Sequence, residues 1–223
     1  MRCRFPILSL AMILTPLSLV SCAKQSDYRE QSNNANNNAK SANHHLKLGE
    51  FQQINGTRYL LAEVKEDEPQ RSSGSSHSQE DQIRNLVFLD GESVVSHRLF
   101  DTDSYVILAA TQFPNKDKDI GQPSNPGIVT QWLVYQVLKA DTNLDGRWDE
   151  ADQKTIGVTD ASGSGYTEVI SGIDQIFGTT MVTPGKLVVV YAQSHSKNAA
   201  IIDLANRKVI STKPLTELGS EVR

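Results

Sequence analysis

The chain has 223 residues, with 22 Lys+Arg against 26 Asp+Glu and a formal net charge of −4. Hydrophobic residues make up 38% and charged residues 22%, enough apolar material for a core and too much for a wholly disordered chain. The mild acidity excludes the basic footprint of a nucleic-acid binder. Two cysteines exclude a disulfide-rich scaffold. No apolar run of about 18 residues lies beyond the N-terminal region, which excludes an internal helical membrane span.

The first segment reads as an address. Arg2 and Arg4 make a charged head, and Ile7 to Val20 is apolar apart from small hydroxyl residues and Pro16. That 14-residue core suits a secretory signal. It ends in Leu19-Val20-Ser21-Cys22, which resembles the lipobox of bacterial lipoproteins. The resemblance implies a signal peptide over 1–21 and a mature chain beginning at Cys22, whose sulfur carries a diacylglycerol. It also implies that the Cys22 amine is acylated after cleavage. Several acyl chains, at about 0.8 kcal/mol per buried methylene, make stable anchoring. Ala23, rather than Asp, follows the cysteine. By resemblance to Gram-negative lipoproteins, that implies sorting to the outer membrane, facing the periplasm. The alternative is an ordinary cleaved signal peptide with a chance cysteine.

Residues 22–45 then read as a lipidated tether. Ala23 to His45 is rich in Asn, Gln, Ser and Ala and nearly free of large apolar side chains, so it cannot offset its ordering entropy by burial. As a flexible coil it spans about 25–30 Å. His44 and His45 read better as solvated than as a metal pair. The first 45 residues hold five basic residues against Asp27 and Glu30, a charge of +3, so residues 46–223 carry −7. Such a surface gains nothing from anionic headgroups, which leaves membrane attachment to the lipid.

Residues 46–223 predict an all-β domain, with short runs rich in Val, Ile, Leu, Tyr and Thr between turn residues. Three hairpins stand out. The first spans Arg84 to Phe100, with Asp90-Gly91 as a two-residue turn signal. The second spans Lys154 to Ile170, turning over Asp160 to Gly165. The third spans Asn198 to Ser211, turning near Ala205-Asn206. Each is preceded by two more strand-like runs: 51–54 and 58–64, then 105–111 and 130–140, then 175–182 and 186–193. The third hairpin starts 44 residues after the second. The second starts 42 after the first once a Pro-rich loop at Phe113 to Ile128 and the loop at Asp141 to Asp152 are set aside. Both spacings fall near the roughly 40–45 residues of a propeller blade. The expectation is antiparallel four-stranded, blade-like units, with a plain β-sandwich as the alternative. Three blades imply an incomplete ring, an unusually small one, or partner subunits. Lys65 to Gln82 and Phe113 to Ile128 read as long loops, and the best helical candidate is one turn around Asp149 to Lys154.

The segment Asp141 to Asp152, DTNLDGRWDEAD, is the one constellation with chemistry. Its spacing resembles the calcium loops of EF-hands and dockerins. The resemblance implies a Ca²⁺ ligand set of Asp141, Asn143, Asp145, the Arg147 carbonyl, Asp149 and Asp152. It also implies a sharp turn at Gly146 and a core-facing Trp148. Asp152 stands where an EF-hand usually has a bidentate Glu, which favours magnesium more than the usual loop does. The alternative is an ion-free Asx turn joining two strands. From Trp132 to Ile170 the chain also resembles the strand–calcium loop–strand arrangement of some bacterial propeller-like envelope proteins, which implies an accessory role without catalytic residues.

The sequence contains no G-x-S-x-G, H-E-x-x-H, P-loop or C-x-x-C motif. His97 in a predicted strand and His195 in a predicted turn read better as packed or surface residues than as bases. The sequence therefore points to a non-enzymatic envelope lipoprotein that displays a calcium-stabilised β module for protein or glycan contacts. The alternatives are an envelope hydrolase without a local motif, and a subunit of a larger propeller assembly.

Overall fold

The computed structural model describes residues 45–67, 82–114, 127 and 129–216. The segment read as a signal, with Cys22, the stretch read as a tether up to residue 44, and most of the two stretches read as long loops lie outside the described residues. Every regular element among the described residues is a strand, and all strand pairs are antiparallel.

Three sheets follow one another along the chain. The first contains β1 (His45–Leu48), β2 (Gln52–Gln53), β3 (Tyr59–Asp67), β4 (Ile83–Asp90) and β5 (Ser96–Arg98). β1 pairs with the C-terminal half of β3, and β2 pairs with Leu60 and Leu61 on the same edge. The two are pieces of one broken edge strand, bridged where the Gly49 amide donates to the Glu63 carbonyl at 2.8 Å. The first sheet thus has four strand positions. The second sheet is the meander β6 (Val106–Phe113), β7 (Trp132–Leu138), β8 (Lys154–Asp160) and β9 (Thr167–Ile173). The third is the meander β10 (Gln175–Thr183), β11 (Lys186–Gln193), β12 (Ser196–Asp203) and β13 (Lys208–Pro214). The expected four-stranded units are present. β1 extends the domain to His45, one residue into the segment read as tether.

The three sheets stack face to face. Successive side chains on a strand point to opposite faces, and the second sheet buries both. Leu133, Tyr135 and Val137 of β7 meet Leu86 and Phe88 of β4 in one core. Val134 of β7, with Ile156 and Val158 of β8, meets Leu187 and Val189 of β11 and Ile202 of β12 in the other. This is why β7, WLVYQVL, reads as a near-continuous apolar run rather than an alternating one. β8 alternates instead, with Ile156 and Val158 toward the third sheet and Thr155, Gly157 and Thr159 on its other face. The Tyr135 hydroxyl, deep in the first core, shares a hydrogen bond of 2.7 Å with Thr159 Oγ1, and burial pushes its pKa up. Gly163, with φ of +82°, lets the β8–β9 turn lie against the Phe88 ring: a Cβ there would fall 2.4 Å from ring atoms.

Two local expectations are corrected. Asp90-Gly91 does not form a two-residue hairpin turn, because β5 begins only at Ser96. The Gly91 amide is drawn to the Arg58 carbonyl at 3.0 Å, and the Val94 amide closes the turn on the Asp90 carbonyl at 2.8 Å. The longer turn places Val94 at φ of +57°. Around Asp149 to Lys154 there is a turn rather than helix, closed by the Asp152 amide on the Asp149 carbonyl at 3.1 Å.

Candidate metal centre

The loop from Asp141 to Asp152 links β7 to β8 at one end of the central sheet. Its short polar side chains fold back on its own amides, as Asp and Asn in turns do. Asp141 Oδ2 accepts from the Gly146 amide at 2.8 Å. Asn143 Oδ1 accepts from the Asp145 amide at 3.0 Å, and Asp145 Oδ1 from the Arg147 amide at 2.8 Å. Asp149 Oδ1 accepts from the Ala151 amide at 2.9 Å. Asp152 is fully buried. Its Oδ1 accepts from the Thr142 amide at 2.7 Å and from Thr142 Oγ1 at 3.1 Å, and its Oδ2 from the Asp149 amide at 3.2 Å. Burial opposes the Asp152 charge, but these amides outweigh it and hold the carboxyl below its usual range. Gly146 takes φ of +79°, the reversal its position in the motif calls for.

One oxygen stands apart. Asp141 Oδ1 is buried and has no hydrogen-bond partner. A buried carboxylate oxygen without a partner is costly, and a cation would satisfy it. The amide-bound oxygens of Asn143, Asp145 and Asp149 each keep a lone pair, so one N–H bond does not bar ligation. The donors are all oxygen, which suits a hard divalent ion and not zinc. Asp152 carries the most loop hydrogen bonds, on both oxygens, and its Oδ2, with one, keeps a lone pair as the others do. Among the described residues no three His, Cys, Asp or Glu side chains form a ready-made metal cluster.

Trp148 is also corrected. It does not enter the core but lies half-buried, with the Arg84 guanidinium 5.8 Å from its ring centroid, while its carbonyl accepts from Gln82 Nε2 at 2.9 Å. Arg84 in turn is paired with Glu66. The loop is thereby tied to the start of β4 in the first sheet.

The sequence reading missed the tie on the other side. Lys154 is only 3% exposed. Its ammonium donates to the carbonyls of Glu150 at 2.5 Å, Asp152 at 3.0 Å and Asp174 at 3.2 Å. Asp174 is the single residue between β9 and β10. Its carboxylate accepts from the Ser194 amide at 2.8 Å and from Gln153 Nε2 at 3.2 Å. One lysine thus joins the loop to the passage from the second sheet to the third. A lysine opening a strand gives no hint of this in sequence.

The histidines take structural places. His97, on β5, stacks on Phe88 with ring centroids 5.4 Å apart. His195 sits with Ser194 in the two-residue turn between β11 and β12, both at positive φ. A groove of about 570 Å³ runs along the broken edge of the first sheet, lined among others by Lys47, Glu50, Gln52, Glu63, Lys65 and Gln112.

No family model matches the chain, and no curated protein matches it significantly. Among solved structures it resembles the β-propeller domain of the Trilobed protease from Pyrococcus furiosus, which has an open velcro topology, with a TM-score of 0.38 and 9% identity. The match covers 78% of this chain and 44% of that one, so the chain spans less than half the length of its structural neighbour. The three-sheet fold is assigned from the strand registers and not from this likeness.

Proposed function

We propose that this protein is a cell-envelope lipoprotein, anchored through Cys22, that displays a calcium-stabilised β module for protein or glycan contacts and has no catalytic role of its own. The unpartnered, buried Asp141 Oδ1 carries the calcium part of this reading. Asp141, Asn143, Asp145, the Arg147 carbonyl and Asp149 would hold the ion, with Asp152 bracing the loop through its amides. The ion supplies no chemistry beyond a fixed positive charge, which offsets the repulsion among the loop carboxylates. The anchor rests on the lipobox resemblance at Leu19 to Cys22 and the polar spacer after it. The non-enzymatic reading is supported by the commitment of His97 to a ring stack and of His195 to a turn. The groove beside β2 is the surface best suited to an extended partner, since Gln, Glu and Lys side chains supply donors and acceptors there and Leu48 and Leu61 supply apolar contact.

Two measurements test the reading. Terbium added to the protein should be sensitised by Trp148 and displaced by calcium, and Asp145→Ala should abolish the emission. Radiolabelled palmitate should be incorporated in cells and lost in Cys22→Ala, with the variant leaving the membrane fraction. Absence of terbium binding would remove the ion, and a Cys22→Ala chain that stays membrane-bound would remove the anchor.

A further inference from the structure

The stack of three sheets has two ends, and each end face carries an apolar strip, bordered by Arg98 beside Val87 on the first sheet and by Lys213 beside Ala199 on the third. On the first sheet, the registers Leu60↔Leu89 and Ala62↔Val87 set these residues on the face turned away from the second sheet, with Leu48 beside Val64 at its edge. Leu60, Val87 and Leu89 are only half-buried and Leu48 is 52% exposed, while Ala62 and Val64 among them are buried. On the third sheet, Val188↔Ile201 and Val190↔Ala199 form the corresponding outer face. All four are half-buried. Phe177 lies at its rim, 46% exposed and under the Lys197 ammonium. The central sheet shows what such faces do when covered on both sides: Leu133, Tyr135 and Ile156 are 0% exposed.

We propose that two copies of the chain associate head to tail. The outer face of the first sheet of each copy packs on the outer face of the third sheet of the other, closing a two-fold ring of six stacked sheets. Three observations select a second copy as the occupant. First, both halves of the contact are present on every chain, so one two-fold axis satisfies both ends at once, whereas a single unlike partner covers one face and leaves the other. Second, four strands about 4.8 Å apart and about seven residues long present roughly 440 Å² per face. Two such faces per copy give roughly 1,800 Å² in total, the size of a stable interface. Third, two of the charges beside the strips are already paired within the chain, Arg98 with Asp103 and Lys186 with Asp203, so the contact buries no lone charge from these groups. Lys213, beside Ala199, is exposed on the edge strand β13, where its stem can carry the ammonium out to water. Six sheets also fall within the roughly 4–8 of closed propellers. Head-to-tail contacts that did not close would instead run on as filaments. This inference is independent of the lipid and calcium readings.

Sedimentation of the purified full chain without detergent should give a dimer. Val190→Lys, on one end face, and Leu89→Lys, on the other, should each weaken dimerisation at least about 100-fold and leave the β circular dichroism unchanged. In cells, a short thiol crosslinker should join chains carrying both Leu89→Cys and Val190→Cys, but not chains carrying Leu89→Cys alone. A monomeric unsubstituted chain, whether its faces stay bare or are covered by its own segments, would overturn the proposal. So would a ladder of higher polymers, efficient crosslinking of Leu89→Cys alone, or a lysine variant that keeps its fold and still dimerises.

Discussion

Replacing Lys154 by methionine tests how the loop is fixed to the sheets. The substitution keeps an unbranched apolar stem and removes the ammonium that three carbonyls share. The Asp152 carbonyl belongs to a fully buried residue and cannot be rehydrated, so losing its charged donor costs about 1–3 kcal/mol. The carbonyls of Glu150 and Asp174 belong to exposed residues and can turn to water, so each costs about 0.5–1 kcal/mol. Together the loss is about 2–4 kcal/mol after the ammonium's desolvation is partly recovered. For a domain of this size that lowers the melting temperature by roughly 4–16 °C. Thermal unfolding followed by circular dichroism is the assay. An unchanged or raised melting temperature in Lys154→Met would refute the reasoning, because it would mean that burying the ammonium costs as much as its three hydrogen bonds return.

Two further outcomes follow from single residues. Gly163→Ala places a Cβ against the buried Phe88 ring at positive φ, and should destabilise by about 2–4 kcal/mol in denaturant titration; a loss under about 0.5 kcal/mol would show that the turn moves freely off the first sheet. The Asp203 carboxyl is held below its usual range by Lys186 at 2.6 Å and by Asn206. Its contribution is therefore full above about pH 4, where the unfolded carboxyl is ionised, and fades as pH falls through the lower folded value. Asp203→Asn should flatten the acid side of the stability profile, and a profile unchanged below about pH 4 would contradict this.

Most of the second and third sheets is legible in the sequence because burial leaves a pattern there. β11 alternates buried and half-buried side chains, β7 is apolar on both faces, and β8 alternates Ile156 and Val158 with Thr and Gly. Short local turns join the strands from β8 to β13 wherever the chain doubles back. β1 was not legible, since His45–Leu48 follows a polar stretch and its partner is the distant end of β3. The turn after Asp90 misled because Gly91 answers to Arg58, a contact no local pattern encodes. In the candidate site, the acidic spacing marks the loop, and Gly146 behaves as the motif requires. What the spacing does not carry is which oxygens the loop's own amides consume. That accounting leaves Asp141 Oδ1 open and has Asp152 bracing the loop through both oxygens. The roles of Thr142, Lys154 and Asp174 arise only when three sheets meet.

The central claim is that the bend between β7 and β8 is built to close around a divalent cation. Extracellular calcium modules have dissociation constants near 10⁻⁴–10⁻³ M, so melting the protein in about 10 mM calcium and again with excess chelator spans the relevant range. At ten times its dissociation constant the ion adds about 1.4 kcal/mol, which raises the midpoint by roughly 3–6 °C. The expected result is that shift in the unsubstituted chain and none in Asp145→Ala; superimposable curves for the unsubstituted chain with and without calcium would contradict the claim.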